Sequence, residues 1–424
     1  MIHDPIKAQS PRASNPANQP NVLLITTDHW PASLLGVAGH PAVQTPALDQ
    51  LARNGTRFTN AYSECPVCLP ARRSLLTGTA PRTHGDRSFQ TELRMPTIPT
   101  IAETFRGAGY QTYAVGKLHV YPPRARAGFD DVILCEEGRP QYGPTDDYEI
   151  YLGEQGLVGQ QFLHGMSNND YVSRPWHLAE EHHVTNWTSR EMSRMIQRRD
   201  PTRPGFWYLS YTHPHPPIAP LQCYLDMYRD IDPGDPIVGN WKSKTHEIPA
   251  RMNNRLIDRD RFDARFIQTG RRAFYALCTH IDHQLRVVIG TLREEGVFEN
   301  TIILFTADHG DMLGDHGMWA KRLFYEGSAG IPMLLVGCDG DERVGLLFDL
   351  DADPHEKTDL SESTQHADVR NRLTNLLVDE LYGGDLAWLT DGRFVGLPED
   401  PETGPPDRTL SLHRGRHWPV PPQS

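Results

Sequence analysis

The sequence predicts an α/β protein in which helices cover both faces of a mostly parallel sheet. Short apolar and β-branched runs recur along the chain, as is typical of buried strands in parallel sheets. Helical patterns separate these runs, which indicates crossover connections between parallel strands. An apolar fraction of 38% in 424 residues is enough for a sizeable core.

Five runs are predicted as strands of this sheet. The first is NVLLITTD at 21–28, a continuous apolar and β-branched segment. The others are QTYAVGK at 111–117, FWYLSYTH at 206–213, TIILFTAD at 301–308 and IPMLLVG at 331–337. Each run is short enough for a strand and too short for an average helix.

Helical patterns lie between these strands. Over 45–55, Thr45 is the expected N-cap and Pro46 takes the first helical position. A second short helix is predicted over 100–110, where glycines end the pattern. A long helix is predicted over 262–295, because apolar residues recur there at spacings of three and four: Phe274, Leu277, Ile281, Leu285, Val288 and Leu292.

The chain divides into three predicted regions. Residues 1–20 are polar and proline-rich, without the apolar stretch of a signal peptide, and are expected to form a disordered tail. Residues 21–337 hold all the predicted strands and form the main α/β domain. Residues 338–424 are richer in Pro, Gly, Asp and Arg and carry one helical pattern, over 369–383. They are expected to form a smaller subdomain and a tail.

Charge and composition exclude several functions. The net charge is −12 and the chain has no long basic run, which argues against nucleic acid or an anionic membrane as the main partner. A bilayer-spanning helix needs about 18 or more apolar residues in succession, and the sequence has no such run. Six scattered cysteines do not form a disulfide framework, so a reducing, cytoplasmic setting is expected.

Polar residues follow four of the predicted strands. In an open parallel sheet, ligands bind outside the carboxyl ends of the strands. Taken singly, each residue also fits a structural role, as a helix cap, a turn residue or a buried histidine with its hydrogen bonds made. Four strands that all end in polar residues together suggest a functional site. Asp and His suit a divalent cation with mixed oxygen and nitrogen ligands. The residues are Asp28, His29, Lys117, His119, His213, His215, Asp308 and His309.

The segment ECPVCLPARRSLLTG at 64–78 has several readings. A zinc knuckle is disfavoured because it would need a second cysteine or histidine pair. A thioredoxin-like redox pair is disfavoured because such a pair normally opens a helix directly. A structural turn is the default. Alternatively, Cys68 begins a helix with Arg72 one turn on. A helix N-terminus and a guanidinium stabilise negative charge, which suits a nucleophile or the anion that it attacks.

These residues carry a resemblance to a known family. The run from Cys68 to Gly78 resembles the sulfatase signature C-x-P-x-R-x4-T-G. Five further segments resemble sulfatase motifs in the family's order: NVLLITTDHW, GYQTYAVGKLH, THPHPP, TADHGDMLGDHGMWAK and LLFDLDADPHEKTDL. The resemblance covers most of residues 21–362 and implies the α/β fold of the alkaline-phosphatase superfamily.

The resemblance implies a sulfuric ester hydrolase, similar to the arylsulfatases, that uses formylglycine. In that family the signature cysteine, here Cys68, is oxidised after translation to an aldehyde, which hydrates to a diol. One hydroxyl attacks sulfur and the alcohol departs on the opposite side, which leaves a covalent sulfo-enzyme. The second hydroxyl then loses its proton, sulfate is eliminated and the aldehyde returns.

The resemblance also implies a role for each matching residue. One divalent metal, first of all calcium with manganese or magnesium as alternatives, would be held by Asp28, residue 68, Asp308 and His309. Arg72 would hold the diol, His119 would help to deprotonate it, and Lys117 would bridge the diol and the sulfate. His215 and Lys321 would contact the sulfate and protonate the leaving oxygen, with His213 as the weaker candidate.

The sequence departs from the family pattern at His29. Many sulfatases carry a second aspartate there, and some relatives, including phosphonate monoester hydrolases, lack it. His29 is therefore expected to be a neutral fifth metal ligand or a bystander. With one carboxylate fewer, we expect calcium to be held less firmly and manganese to become plausible. The GKLH segment at 116–119 is sulfatase-like, so a sulfate ester is the expected substrate and a phosphodiester or phosphonate the alternative.

A second departure follows residue 337. GDERVG runs straight into LLFDLDADPHEKTDL, so a stretch that usually completes the sheet and builds the small domain is predicted to be missing. Such a loss would leave an exposed sheet edge, and a non-catalytic remnant is the competing hypothesis. The expected partners are a small sulfated substrate, transiently the formylglycine-generating enzyme, and a second copy in a homo-oligomer.

Overall fold

The computed structural model describes most of the chain up to residue 337. The described ranges are 19–137, 146–166, 168–240 and 264–337, with two short paired strands, β8 (Leu389–Thr390) and β9 (Arg393–Phe394). The predicted helix over 369–383 and nearly all of the predicted tail lie outside the described residues. The same holds for the segment predicted to be shortened, so the three regional boundaries stay predictions.

The centre of the fold is a seven-stranded sheet in the order β2-β7-β6-β1-β5-β3-β4. Its strands are β1 (Asn21–Thr27), β2 (Thr56–Tyr62), β3 (Gln111–Gly116), β4 (Asp131–Leu134), β5 (Gly205–Ser210), β6 (Thr301–Ala307) and β7 (Gly330–Val336). Neighbouring strands pair in parallel from β6 to β4, whereas β7 is antiparallel to both β2 and β6. The mostly parallel sheet is confirmed, and the five predicted strands all lie in it.

Nine α-helices occur in the described part of the chain. They are α1 (Pro46–Arg53), α2 (Cys68–Thr77), α3 (Pro81–His84), α4 (Ile101–Gly107), α5 (Asp147–Glu154), α6 (Val184–Gln197), α7 (Gln222–Met227), α8 (Ala264–Glu294) and α9 (Glu326–Ala329). The three helices predicted from spacing correspond to α1, α4 and α8. Thr45 is the N-cap residue of α1, but its side chain bonds Asp49 and the Gly36 amide instead of capping the first turn.

Alternate residues of the central strands pack into two separate cores, which is how the sheet comes to be covered on both faces. Leu23 and Ile25 of β1 join the core that includes the buried face of α8. Leu24 joins the opposite core, with Leu76 of α2 and Ala102 of α4. The six apolar residues that predicted α8 are all fully buried. Burial of apolar surface on both faces is therefore the main stabilisation of the sheet.

Gly116, the last residue of β3, is required by its backbone. Its φ of +104° is a conformation that other residues rarely adopt, and an added Cβ would lie 1.8 Å from the Ser210 carbonyl oxygen. We expect Gly116→Ala to lower the free energy of unfolding by roughly 2–5 kcal/mol, measured by urea denaturation. Gly107→Ala is the matched control, because a Cβ there meets no atom within 4 Å. Equal urea midpoints for the two variants would contradict this prediction.

Among the described residues, no helix combines the length and the apolar character that crossing a bilayer requires.

Candidate active site

The polar residues that follow β1, β3, β5 and β6 are all buried at one edge of the sheet. Parallel strands place their carboxyl ends side by side, so these residues, far apart in sequence, become neighbours. His29 after β1 and His119 after β3 have φ values of 70° and 57°, left-handed conformations that are uncommon for residues other than glycine. Such backbone strain is concentrated at functional sites.

Asp28, Cys68, Asp308 and His309 form a group whose ligand atoms all lie within 4.8 Å of one another. Cys68 Sγ is 3.6 Å from Asp28 Oδ1 and 3.3 Å from His309 Nε2. His309 Nε2 is 3.5 Å from one oxygen of each aspartate. Two carboxylates and an imidazole around one point are a donor set that suits a divalent cation.

The orientation of His309 is fixed by the backbone. Its Nδ1 lies 2.9 Å from the Gly310 carbonyl oxygen, which can only accept a hydrogen bond. Nδ1 therefore carries the proton, and the lone pair of Nε2 points toward Asp28, Cys68 and Asp308. Histidines that bind metals are usually oriented by a hydrogen bond of this kind.

Arg72 lies beneath this group and is almost fully buried. Its Nε donates to Asp308 Oδ2 at 2.9 Å, and Nη2 is 3.4 Å from Asp28 Oδ2. Nη1 donates to the Lys117 carbonyl oxygen and to Ser210 Oγ, both at 2.8 Å. The guanidinium thus holds the outer oxygens of both aspartates, while the other oxygen of each faces His309.

Lys117, which directly follows β3, is buried between two carboxylates. Its ammonium group donates to Asp28 Oδ2 and to Glu137 Oε1. The neighbouring Glu136 accepts the backbone amides of Leu118 and His119 at 3.0 and 2.8 Å. This bonding orients the loop that carries Lys117 and His119, and His119 in turn hydrogen-bonds Cys68.

Lys321 reaches the same place from the loop that follows β6. Its ammonium nitrogen is 2.8 Å from Cys68 Sγ and also contacts His29 Nε2. His29 belongs to a second group of close ligand atoms, together with Asp28, Cys68 and His215. The structure therefore brings Lys321 into that group as a positively charged neighbour of residue 68.

His213 and His215 both lie in the turn that follows β5, but they have different neighbours. His215 Nδ1 is 2.6 Å from the Pro216 carbonyl oxygen and 3.7 Å from Glu137, and its ring lies edge-on to His29. Burial lowers the pKa of His215 to about 3 and that of His213 to about 4. His213 belongs to neither ligand group and bonds the His215 carbonyl oxygen at 3.0 Å.

The two cysteines of the CPVC segment have opposite electrostatic surroundings. Burial raises the pKa of Cys68, but the Lys321 and Lys117 ammonium groups outweigh it and hold the pKa well below its usual value. Burial raises the pKa of Cys65 to about 12. Both cysteines are free, so they do not form a disulfide. Only Cys68 lies where negative charge is stabilised.

The aspartates of the group also differ from each other. Burial raises the pKa of Asp28, but Lys117, His215 and Lys321 together hold it well below its usual value. Burial and the nearby Asp28 raise the pKa of Asp308 despite its contact with Arg72. A positive charge between the two carboxylates would relieve this repulsion.

A mostly apolar pocket adjoins His215 and Glu137. Its walls include the rings of Tyr148, Phe162 and Trp176. No lysine or arginine is among the described residues that line it, and the Glu137 carboxylate in its lining is bonded to Lys117. Its free space is about 30 Å³, so an aromatic group would enter only after these side chains move apart.

Four site residues were missed by the sequence analysis: Glu136, Glu137, Asp311 and Tyr171. Asp311 is 2.7 Å from His29 Nδ1, and Tyr171 donates to the same carboxylate. Asp311 lies in the quoted segment TADHGD, two residues after His309, so its position was a usable signal. Tyr171 comes from a loop without any recognisable pattern.

Comparison with known proteins agrees with this geometry. The model of the sulfatase family matches residues 20–367. The arylsulfatase of Clostridium perfringens is 36% identical over 329 residues, which are 75% of this chain and 68% of that protein. The choline-sulfatase of Rhizobium meliloti is 29% identical over 323 residues, which are 75% of this chain and 63% of that protein.

Among solved structures, the phosphonate monoester hydrolase of Agrobacterium radiobacter has the same fold. It matches with a TM-score of 0.62 and 23% identity, over 75% of this chain and 68% of its own. The fold is that of the alkaline-phosphatase-like α/β class. The chain belongs to the sulfatase family, and it spans 60% to 68% of the length of the first three curated relatives.

Proposed function

We propose that the protein hydrolyses a sulfate monoester, with residue 68 as the nucleophile after conversion of Cys68 to formylglycine. The observation that carries this proposal is the position of Cys68. It is the first residue of α2, it is buried, and its Sγ lies 2.8 Å from the Lys321 ammonium and 3.3 Å from His309 Nε2. Conversion must precede folding, because an enzyme cannot reach a buried residue in the folded chain.

The donor set of Asp28, residue 68, Asp308 and His309 fits one divalent ion, with calcium, manganese and magnesium as the candidates. Such an ion would supply positive charge to the nucleophile and to the sulfate oxygens. The ordered tautomer of His309 and the raised pKa of Asp308 support binding of a cation between these residues. Bound to the ion, His29 would add a fifth ligand to this set, through a ring nitrogen.

The chain's own residues supply the remaining chemistry. A formylglycine hydrate offers two hydroxyl groups at position 68, one to attack sulfur and one to lose a proton later. His119, hydrogen-bonded to residue 68 in the free protein, is placed to accept that proton. Lys117 and Arg72 add positive charge on the side of Asp28, which stabilises the sulfate oxygens during transfer.

Lys321 is the proposed proton donor to the leaving alcohol. When the bond between sulfur and the ester oxygen breaks, that oxygen gains negative charge and needs a proton. Burial lowers the pKa of His215 to about 3, which makes His215 the weaker candidate for this donor, and the Lys321 ammonium lies 2.8 Å from residue 68. His215 would then orient the sulfate beside Glu137.

The apolar pocket beside His215, widened by movement of its side chains, is the proposed site of the alcohol. Its aromatic walls favour a flat or apolar organic group, and the described lining offers no cation for additional sulfate groups. An aryl sulfate, as the name of the Clostridium perfringens relative implies, therefore fits better than a polysulfated saccharide.

Matched esters test the proposed function against its nearest rival. We expect the matured protein to hydrolyse nitrophenyl sulfate with a higher kcat/KM than the corresponding nitrophenyl phosphodiester or phosphonate. Dialysis against a chelator should remove the activity, and one of the three candidate ions should restore it. Preference for the diester would overturn the choice of sulfate. Bound metal without turnover of either ester would favour a non-catalytic remnant.

A further inference from the structure

His29 occupies an unusual position between a carboxylate and an ammonium group. Its side chain is almost fully buried, and its φ of 70° turns the residue sharply after β1. Nδ1 is 2.7 Å from Asp311 Oδ2, and Nε2 contacts the Lys321 ammonium. Nε2 has one lone pair, which can bind a metal ion or accept a hydrogen bond from Lys321, but not both.

Asp311 is held by contacts on both of its oxygens. Oδ1 accepts the backbone amides of Leu313 and Ala320 at 2.9 and 3.0 Å. Oδ2 faces His29 Nδ1 and accepts the Tyr171 hydroxyl. Burial would raise the pKa of Asp311, but these hydrogen bonds hold it below its usual value, so the carboxylate is an acceptor throughout.

These contacts determine the tautomer of His29. The Asp311 carboxylate can only accept hydrogen bonds, and it already accepts them from the Leu313 amide, the Ala320 amide and the Tyr171 hydroxyl. The nitrogen of His29 that faces it, Nδ1, must therefore carry a proton. The lone pair of Nε2 then faces Lys321, and an ammonium group can donate to it.

We propose that Asp311 and Tyr171 are positioning residues that hold His29 in the Nδ1-protonated form, so that His29 Nε2 aims the Lys321 ammonium at the leaving oxygen. His29 then orients the proton donor to the leaving alcohol and is not a fifth metal ligand. This inference rests on the proposed function, because it assigns the proton donor of that same reaction. Tyr171 packs against Trp319 at 5.1 Å between ring centroids, which secures its hydroxyl.

The first test reads the tautomer without turnover. In protein labelled with ¹⁵N histidine, the His29 signals are identified by their loss in His29→Gln. We expect protonated Nδ1 and unprotonated Nε2. In Asp311→Asn, the backbone amides of Leu313 and Ala320 keep the amide oxygen on their side, so the NH₂ group faces His29 and the tautomer should reverse. Protonation of Nε2 in the wild-type protein would overturn the inference.

The second test is kinetic and uses sulfate esters with leaving groups of different acidity. Loss of a well-placed proton donor slows esters of weakly acidic alcohols most, because these need the proton most. For Tyr171→Phe and Asp311→Asn, we expect kcat/KM on an alkyl sulfate to fall roughly tenfold or more beyond its fall on nitrophenyl sulfate. Equal losses on all esters would overturn the inference.

Two control variants separate positioning from general damage. Tyr228→Phe removes another buried hydroxyl, which contacts Thr279 away from the site. Asp282→Asn alters another buried carboxylate, which accepts the Ala47 and Leu48 amides. Neither should change the ratio of rates between the two leaving groups. A wild-type protein inactive on every sulfate ester would overturn the proposed function. The NMR measurement would then still show whether His29 is held in the Nδ1-protonated form.

Discussion

Replacement of Cys68 by alanine is expected to abolish sulfate ester hydrolysis, with a fall in kcat on the order of 10⁴-fold or more. In the proposed mechanism this residue supplies the only attacking oxygen, and no neighbour can replace it. The cations around it, Lys321 and Lys117, would remain in place and continue to attract the sulfate. We therefore expect the loss in kcat and only a small change in substrate binding, measured by calorimetry.

The matched control is Cys65→Ala in the same CPVC segment. Cys65 is also buried and free, but its Sγ is 3.8 Å from the Arg87 carbonyl oxygen and contacts none of the proposed catalytic residues. This variant should keep at least a third of the wild-type kcat, since only a small buried side chain changes. Substantial turnover by Cys68→Ala would contradict the assignment of the nucleophile.

Arg72→Met is expected to have the second largest effect, on both stability and activity. Arg72 neutralises the buried carboxylates of Asp308 and Asp28, and methionine has a similar length but no charge. A buried ion pair that loses one partner leaves an uncompensated charge, which costs about 3–5 kcal/mol of unfolding free energy. We also expect kcat to fall about 10²–10³-fold, as for the loss of one preorganised donor.

The neighbouring Arg73 provides the comparison. It is buried in the same helix but donates to the backbone carbonyl oxygens of Leu93 and Arg94, away from the site. Arg73→Met should lower the urea midpoint while the remaining folded protein keeps near wild-type kcat. If both variants lost activity to the same extent, the effect of Arg72 would be one of folding and not of charge in the site.

The sequence predicted the sheet and the strand ends because their signals are local. Continuous apolar runs marked β1 and β6, and the polar residue after each strand could be read directly. β4 was missed because four residues, Asp131–Leu134, are too few to show a pattern. β2 was missed because its residues are mostly half-buried, so no clear alternation of apolar and polar residues marks it.

The unpredicted site residues depend on tertiary contacts. Glu137 belongs to no motif of the sequence, yet it bonds Lys117 because β4 runs parallel beside β3 and ends at the same edge. Tyr171 is 142 residues from His29 in sequence and belongs to no helix or strand. No residue spacing reveals such a partner, since only the folded chain brings the two together.

The mass of the peptide that contains residue 68, from protein purified from its native host, tests the central claim most directly. Our account predicts the mass of formylglycine at position 68, together with hydrolysis of nitrophenyl sulfate by the same preparation. An unmodified cysteine in a preparation that hydrolyses the ester would contradict the proposed nucleophile. An unmodified cysteine without turnover would mean that this chain, despite its family, does not catalyse the reaction.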